Sequence, residues 1–211
     1  MVCNFRILEM EKSNAQQIIG NEKEDMDFFY ELKIPKERVA VLIGKNGEIK
    51  KQVEDETSTK IEVNSEEGDV KLSGKDSLKL YSAREIVKAI ARGFNPEVAL
   101  LLLKPDYCFE LVNITDFAKT KGSEMRLKGR VIGSEGKSRK HIENLTDSNI
   151  CVYGKTIGII AEAEKLSLCR RAIESLLKGS PHSNVYKWLE KQRRELRSIE
   201  YESKNIEDEL K

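Results

Sequence analysis

Apolar positions along the chain change period several times, and the same succession of periods occurs twice. In the first half, Asp27–Ile34 alternates toward Pro35 and predicts a strand. Val39, Leu42 and Ile43 follow the spacing of a short helix over Lys36–Ile43, and Ile49, Val53 and Thr57 that of a second helix over Glu48–Ser58. Alternation returns at Lys60–Asn64 and Asp69–Leu72, a hairpin across Ser65–Gly68. Leu78, Tyr81, Ile86, Val87 and Ile90 then give Ser77–Ala91 the stripe of a long amphipathic helix. The second half predicts a strand over Asp106–Ile114, an insertion over Thr115–Ser123, and helices over Met125–Ile132 and Lys137–Asp147. Strands over Asn149–Tyr153 and Thr156–Ala161 pair across Gly154-Lys155, and a helix over Ala163–Lys178 closes the unit.

The repeat is strictest where two glycines interrupt the helical spacing. Gly44-Lys45-Asn46-Gly47 returns 89 residues later as Gly133-Ser134-Glu135-Gly136. With no gap, the same shift brings Ile43 onto Ile132, Val53 onto Ile142, Thr57 onto Thr146, Ile61 onto Ile150 and Val63 onto Val152. Glycine at both ends of a two-residue connection lets the backbone turn sharply with no Cβ in the way. A phosphate backbone can then approach main-chain N–H groups at the positive end of the following helix. The apolar edge beside the turn and the strand that follows can hold unstacked bases. The copies differ at two points: Ser138 stands where the first has Ile49, and acidic Glu135 sits in the second turn. Glu135 would face a phosphate, so the two turns are not expected to bind equally.

Composition changes this picture only through its distribution. The 211 residues suffice for one or two domains with a real core. Although 35% of them are charged, the formal net charge is +1, which gives no global argument for a nucleic-acid partner. Locally the balance differs: Lys33 to Lys51 holds six basic and two acidic residues, and Lys119 to Lys140 eight basic and two acidic. Positive charge thus collects around both turns. Cys3, Cys108, Cys151 and Cys169 are widely separated, and with only His141 and His182 beside them no metal site or Cys–His nucleophile is expected. No apolar run is long enough to span a membrane and no signal peptide is recognisable, so a cytoplasmic protein without a cofactor is expected.

Three segments lie outside the repeats. Residues 1–26 are polar and acidic and read as an N-terminal tail. Phe94–Leu103 (FNPEVALLLL) opens on a proline and ends in leucines, which predicts a connector buried between two rigidly packed units; a flexible linker would be polar. After Pro181 comes a charged helix, Asn184 to Lys211, whose Val185, Leu189, Leu196, Ile199, Ile206 and Leu210 form one sticky edge. That edge suits docking on the second unit, with Trp188 as anchor, and equally suits a partner. The expected division is residues 1–26, 27–95, 96–104 (connector), 105–180 and 181–211.

Both repeats resemble the KH signature: an apolar pair, Ile-Gly-x-x-Gly, an apolar residue, then threonine and an alternating strand. The first copy carries it in Ile43 to Gly47, Ile49, Val53, Thr57, Ile61 and Val63, the second in Val131 to Gly136, Ile142, Thr146, Ile150 and Val152. The resemblance implies an α+β protein of two tandem eukaryotic-type (type I) KH domains, each a three-stranded antiparallel sheet backed by three helices, packed together and followed by the C-terminal helix. Such domains clamp about four nucleotides of single-stranded nucleic acid on the glycine turn. A competing motif fails. Val131–Ser138 (VIGSEGKS) has Val131 where a P-loop needs its leading glycine, and the LKGR before it is not an apolar strand.

More of the chain is similar to the archaeal Partner-of-Nob family. The similarity runs through FFYELKIPKERVAVLIGKNGEIKK, GRVIGSEGKSRKHIENLT and the closing SPHSNVYKWLEKQRREL, the last lying outside the KH signature. It implies a non-catalytic factor of small-subunit pre-rRNA processing that binds near the 3′ end of small-subunit rRNA and assists a Nob-type endonuclease, with a translation factor as a further partner. The second turn is then assigned as the main RNA clamp: Gly133, Ser134, Glu135 and Gly136 at the backbone, Lys137, Arg139, Lys140, Arg130 and Lys128 for phosphate charge, and Ile132, Ile142 and Ile150 as the apolar base groove. Gly44, Lys45, Asn46 and Gly47, with Ile43, Lys50 and Lys51, form an auxiliary first site. Two readings compete: a scaffold that recruits a nuclease or translation factor, and an RNA-decay accessory subunit. The latter would bring an S1-type barrel, for which no run of short strands is left over.

Overall fold

The computed structural model describes residues 28–209, with side chains described to residue 198. The N-terminal segment 1–26, and the seam positions Ile199, Ile206 and Leu210, lie outside that description. The first unit runs β1 (Phe28–Lys33), α1 (Lys36–Ile43), α2 (Glu48–Thr57), β2 (Lys60–Asn64), β3 (Asp69–Gly74) and α3 (Ser77–Ala91). The sheet is antiparallel in the order β1-β3-β2, with Phe29 opposite Ser73 and Ile61 opposite Leu72. β3 alternates cleanly: Val70 and Leu72 are buried under the helices while Asp69 and Lys71 face solvent. The Asp76 side chain caps α3 by accepting from the N–H groups of Leu78 and Lys79.

The second unit repeats the order with β4 (Tyr107–Asn113), α5 (Lys121–Ile132), α6 (Lys137–Thr146), β5 (Asn149–Tyr153), β6 (Thr156–Glu162) and α7 (Ala163–Leu177), its sheet ordered β4-β6-β5. Two three-stranded sheets backed by helices are thus present. The insertion departs from expectation, because α5 begins at Lys121, four residues earlier than the apolar spacing indicates. Thr120 is its N-cap, and Thr120 and Ser123 form a reciprocal capping box; serine in place of the usual glutamate at that position hides the start.

The connector is a short helix, α4 (Pro96–Ala99), continued by a single 3₁₀ turn over Leu100–Leu103. It holds the units together by covering the outer face of the second sheet. β6 is buried on both faces: Ile157 and Ile159 point to their own helices, while Gly158 and Ile160 point to the first unit. Ile160 belongs to the first unit's core, with half-buried Tyr107, Phe109 and Cys151 around it. Phe94 stacks edge-on against Phe109 at 5.9 Å between centroids, and a Cβ on Gly158 would come 2.6 Å from the Phe94 ring. Tyr153 on β5 donates its hydroxyl proton to Glu37 on α1.

The last helix, α8 (His182–Glu209), starts directly after Pro181. Val185 and Leu189 are buried in the second core, so its first half docks in cis. Trp188 is only half-buried and stacks under Arg171 at 5.0 Å; the smaller aliphatic residues are the anchors.

Candidate nucleic-acid interface

Each glycine turn is a single 3₁₀ turn between two helices, and the copies share one backbone. Gly44 (φ 74°, ψ −179°) and Gly133 (φ 72°, ψ 176°) occupy a region open in practice only to glycine. A Cβ there would also collide with the next helix, 2.5 Å from Ile49 Cγ1 in the first copy and 2.6 Å from Ser138 Cβ in the second. Gly47 and Gly136 are left-handed in open space. Among the described residues the non-glycine positive-φ positions form two equivalent pairs: Asn46 with Glu135 inside the turns, and Ser58 with Asp147 at the ends of α2 and α6.

The floor of each groove is tied to its helix in the same way. Glu54 on α2 accepts from the Ile61 N–H at 2.7 Å, and Glu143 on α6 from the Ile150 N–H at 2.8 Å. Thr57 donates to the Val53 carbonyl at 2.6 Å and meets Thr59 at 2.7 Å; Thr146 donates to the Ile142 carbonyl at 2.8 Å and meets Ser148 at 2.7 Å. These buried bonds are the physical reason for threonine in the repeat. They close the end of each helix, while the two carboxylates tie it to the strand that follows.

The surroundings distinguish the two sites. In the first, Lys45 and Lys51 are exposed and Lys50 lies 3.9 Å from Glu54. In the second, exposed Lys137 pairs with Glu135 at 3.1 Å, Lys140 is exposed, and Arg139 Nε stands 3.6 Å from Glu143. Only two buried side-chain polar atoms lack a hydrogen-bond partner among the described residues, Ser138 Oγ and Arg139 Nε. Both lie in the first turn of α6, against the second glycine turn. No cluster of three His, Cys, Asp or Glu residues able to hold a metal occurs among the described residues.

Residues 108–194 match a family model for a eukaryotic-type (type I) KH domain, that of the second PNO1 domain, and residues 29–91 match the general KH model. A KH domain-containing protein of Methanocaldococcus jannaschii is 46% identical over 189 residues, covering 88% of this chain and 82% of that protein. The chain belongs to the PNO1 family of KH-domain proteins. The RNA-binding protein PNO1 of Oryzias latipes is 34% identical over 113 residues, covering 53% of this chain; the match spans about half of that protein, 46% of its length. In the crystal structure of an a/eIF2alpha–aDim2p–rRNA complex from Pyrococcus horikoshii OT3, the matching chain superposes with a TM-score of 0.75 at 41% identity, covering 80% of this chain and 96% of that one.

Within this family frame, three expected site residues are placed differently. Ile142 and Ile150, expected in the base groove, are 0% and 4% exposed and form the core beneath it. Helical spacing identifies their shared face but not which way the face points. Arg130, expected on phosphate, is committed to the protein: its Nε and Nη2 donate to the Leu176 carbonyl at 3.1 Å and the Ser180 carbonyl at 2.7 Å. Ile43 and Ile132 are half-buried at the lips of their turns, and Lys128 is half-buried one turn back on α5.

The sequence reading overlooked Arg38 and His182. Arg38 donates to the Ile90 and Phe94 carbonyls at 2.8 and 2.6 Å, closing the end of α3 as Arg130 closes α7. His182 Nε2 lies 2.8 Å from the Arg130 carbonyl, and both His182 and His141 pack on the Tyr186 ring. His182 and Tyr186 lie one turn apart on α8, but the approach of His141 from α6 has no local signal in the sequence.

Proposed function

We propose that this protein is a non-catalytic holder of single-stranded RNA in small-subunit pre-rRNA processing, with the second glycine turn as its main clamp. The carrying observation is that the two buried polar atoms without a hydrogen bond among the described residues, Ser138 Oγ and the ion-paired Arg139 Nε, both fall in the first turn of α6 behind Gly133–Gly136. Buried polar groups are ordinarily hydrogen-bonded, so an exception calls for a partner that the chain alone does not supply. The equivalent turn of α2 offers Ile49 and Lys50, and no buried polar atom without a hydrogen bond lies there. The names of the relatives, RNA-binding protein PNO1 and an aDim2p bound with rRNA, point to the same ligand class. The 3′ end of small-subunit rRNA is the proposed segment, and a Nob-type endonuclease and a translation factor are the proposed partners.

The test compares an oligonucleotide matching that 3′ end with a scrambled one, each at two salt concentrations. The protein is expected to prefer the native sequence and to keep the preference at the higher salt. Equal, weak and steeply salt-dependent binding to both would leave only phosphate attraction and overturn the assignment. Aspartates at Ser134 and Glu135 are expected to cost more affinity than aspartates at Lys45 and Asn46. An equal loss would remove the ranking of the two turns.

A further inference from the structure

Three arginines on the helices that flank the turns differ in one respect: Arg38 on α1, Arg130 on α5 and Arg139 on α6. Arg38 and Arg130 each give two hydrogen bonds to backbone carbonyls, and both guanidinium groups are fixed by them. Arg139 is held only by Glu143. At 3.6 Å that contact is too long for a hydrogen bond, and Nε is shielded from solvent with no acceptor. Glu143 in turn is pinned to β5 by the Ile150 N–H. Through Glu143, Arg139 is therefore linked to the edge strand β5 as well as to α6. Turning it toward an incoming group breaks no hydrogen bond.

The phosphate-binding role that the sequence suggests for Arg139 is open to other groups. The glycine turn and exposed Lys137 and Lys140 supply that function at the rim, whereas Arg139 is half-buried and its carboxylate partner is tied to the strand β5. The first groove has Lys50 at the equivalent place, a point charge that cannot form two parallel bonds to one flat edge. Resting on the assignment of the second groove to RNA, we infer that Arg139 is a specificity-determining residue that reads one base carrying two adjacent acceptors. Two bases present that pattern: guanine through O6 and N7, and cytosine through O2 and N3. Adenine and uracil do not. The paired donors of arginine match such an edge in the plane of the ring.

The test uses full-length protein and the rRNA 3′-end oligonucleotide in three forms: unmodified, with 7-deazaguanosine for guanosine, and with uridine for cytidine. Binding is measured for the wild type, Arg139→Lys and Gly136→Asp at two salt concentrations, and circular dichroism verifies the fold of each variant. The wild type is expected to lose about ten- to a hundredfold in affinity on one of the two base replacements, which identifies the base. Arg139→Lys is expected to bind the unmodified form more weakly and to be indifferent to that replacement, with an unchanged salt slope. Three outcomes would overturn the inference: Arg139→Lys keeps the wild-type discrimination, or it weakens all three forms equally, or the wild type discriminates against neither replacement. Full binding by Gly136→Asp would instead overturn the assignment of the groove on which the inference rests.

Discussion

At the scale of single residues, the two turns share a backbone but not a fit to it. Position three of each turn is left-handed, with φ 56° at Asn46 and 53° at Glu135. Asparagine adopts that conformation readily, whereas glutamate pays a penalty on the order of 1 kcal/mol. Glu135 also places a carboxylate beside the proposed phosphate path and holds Lys137 at 3.1 Å. Glu135→Asn should therefore raise stability by about 0.5–1 kcal/mol, read as a higher Tm, and tighten RNA binding, more at low than at high salt. A lower Tm would show that the Lys137 pair outweighs the backbone term. The pattern of glycines, apolar pair and threonine made this geometry legible from the chain alone. Whether Ile142 faced the groove or the core was not legible, because a repeat of apolar residues looks the same in both cases.

At the scale of elements, the closing of the third helix is the most informative repeat. The penultimate residue of α3 (Ile90) and of α7 (Leu176) each present a carbonyl to an arginine, as do Phe94 and Ser180 beyond the helix ends. The donors are not equivalent: Arg38 stands six residues before its glycine turn and Arg130 three, one helical turn apart. The interaction was preserved while its donor moved, so an alignment of the two copies does not reveal it. Arg130→Met, which keeps the apolar stem, should lower stability by about 2–4 kcal/mol through two orphaned carbonyls and the lost charged donors. The salt dependence of RNA binding should stay the same. A slope reduced by about 0.7, the share of one phosphate on a single strand, would return Arg130 to the RNA surface. The early start of α5 was similarly concealed, since Ser123 completes a cap that sequence inspection seeks with glutamate.

At the scale of the molecule, the two sheets have different surroundings. The outer face of the first carries Asp69 and Lys71 in solvent, and that of the second carries Gly158 and Ile160 against the connector. The near-continuous run Ile157–Ala161 contained this information, as did the leucines of the connector, which indicated burial between the units. The contact of Phe94 with Gly158 had no signal, since a glycine two residues into a strand reads as a weak point. Gly158→Val should force the Phe94 ring away at a cost of roughly 1–3 kcal/mol. The single tryptophan, Trp188, reports on the second unit alone, while far-ultraviolet circular dichroism reports on both. The two probes should unfold together in the wild type and separate in Gly158→Val. Coincident transitions in the variant would mean that the units are coupled by something other than this face.

The shared core also carries a schedule. Phe94 and the connector leucines leave the ribosome well before their cover, because Ile160 is 66 residues further along the chain. At about 5–20 residues per second, that interval is about 3–13 s. For that time the first unit has its sheet, its helices and an uncovered greasy flank. Synthesis of this protein therefore includes a period in which half of it is folded and adhesive, and the second unit acts as its chaperone.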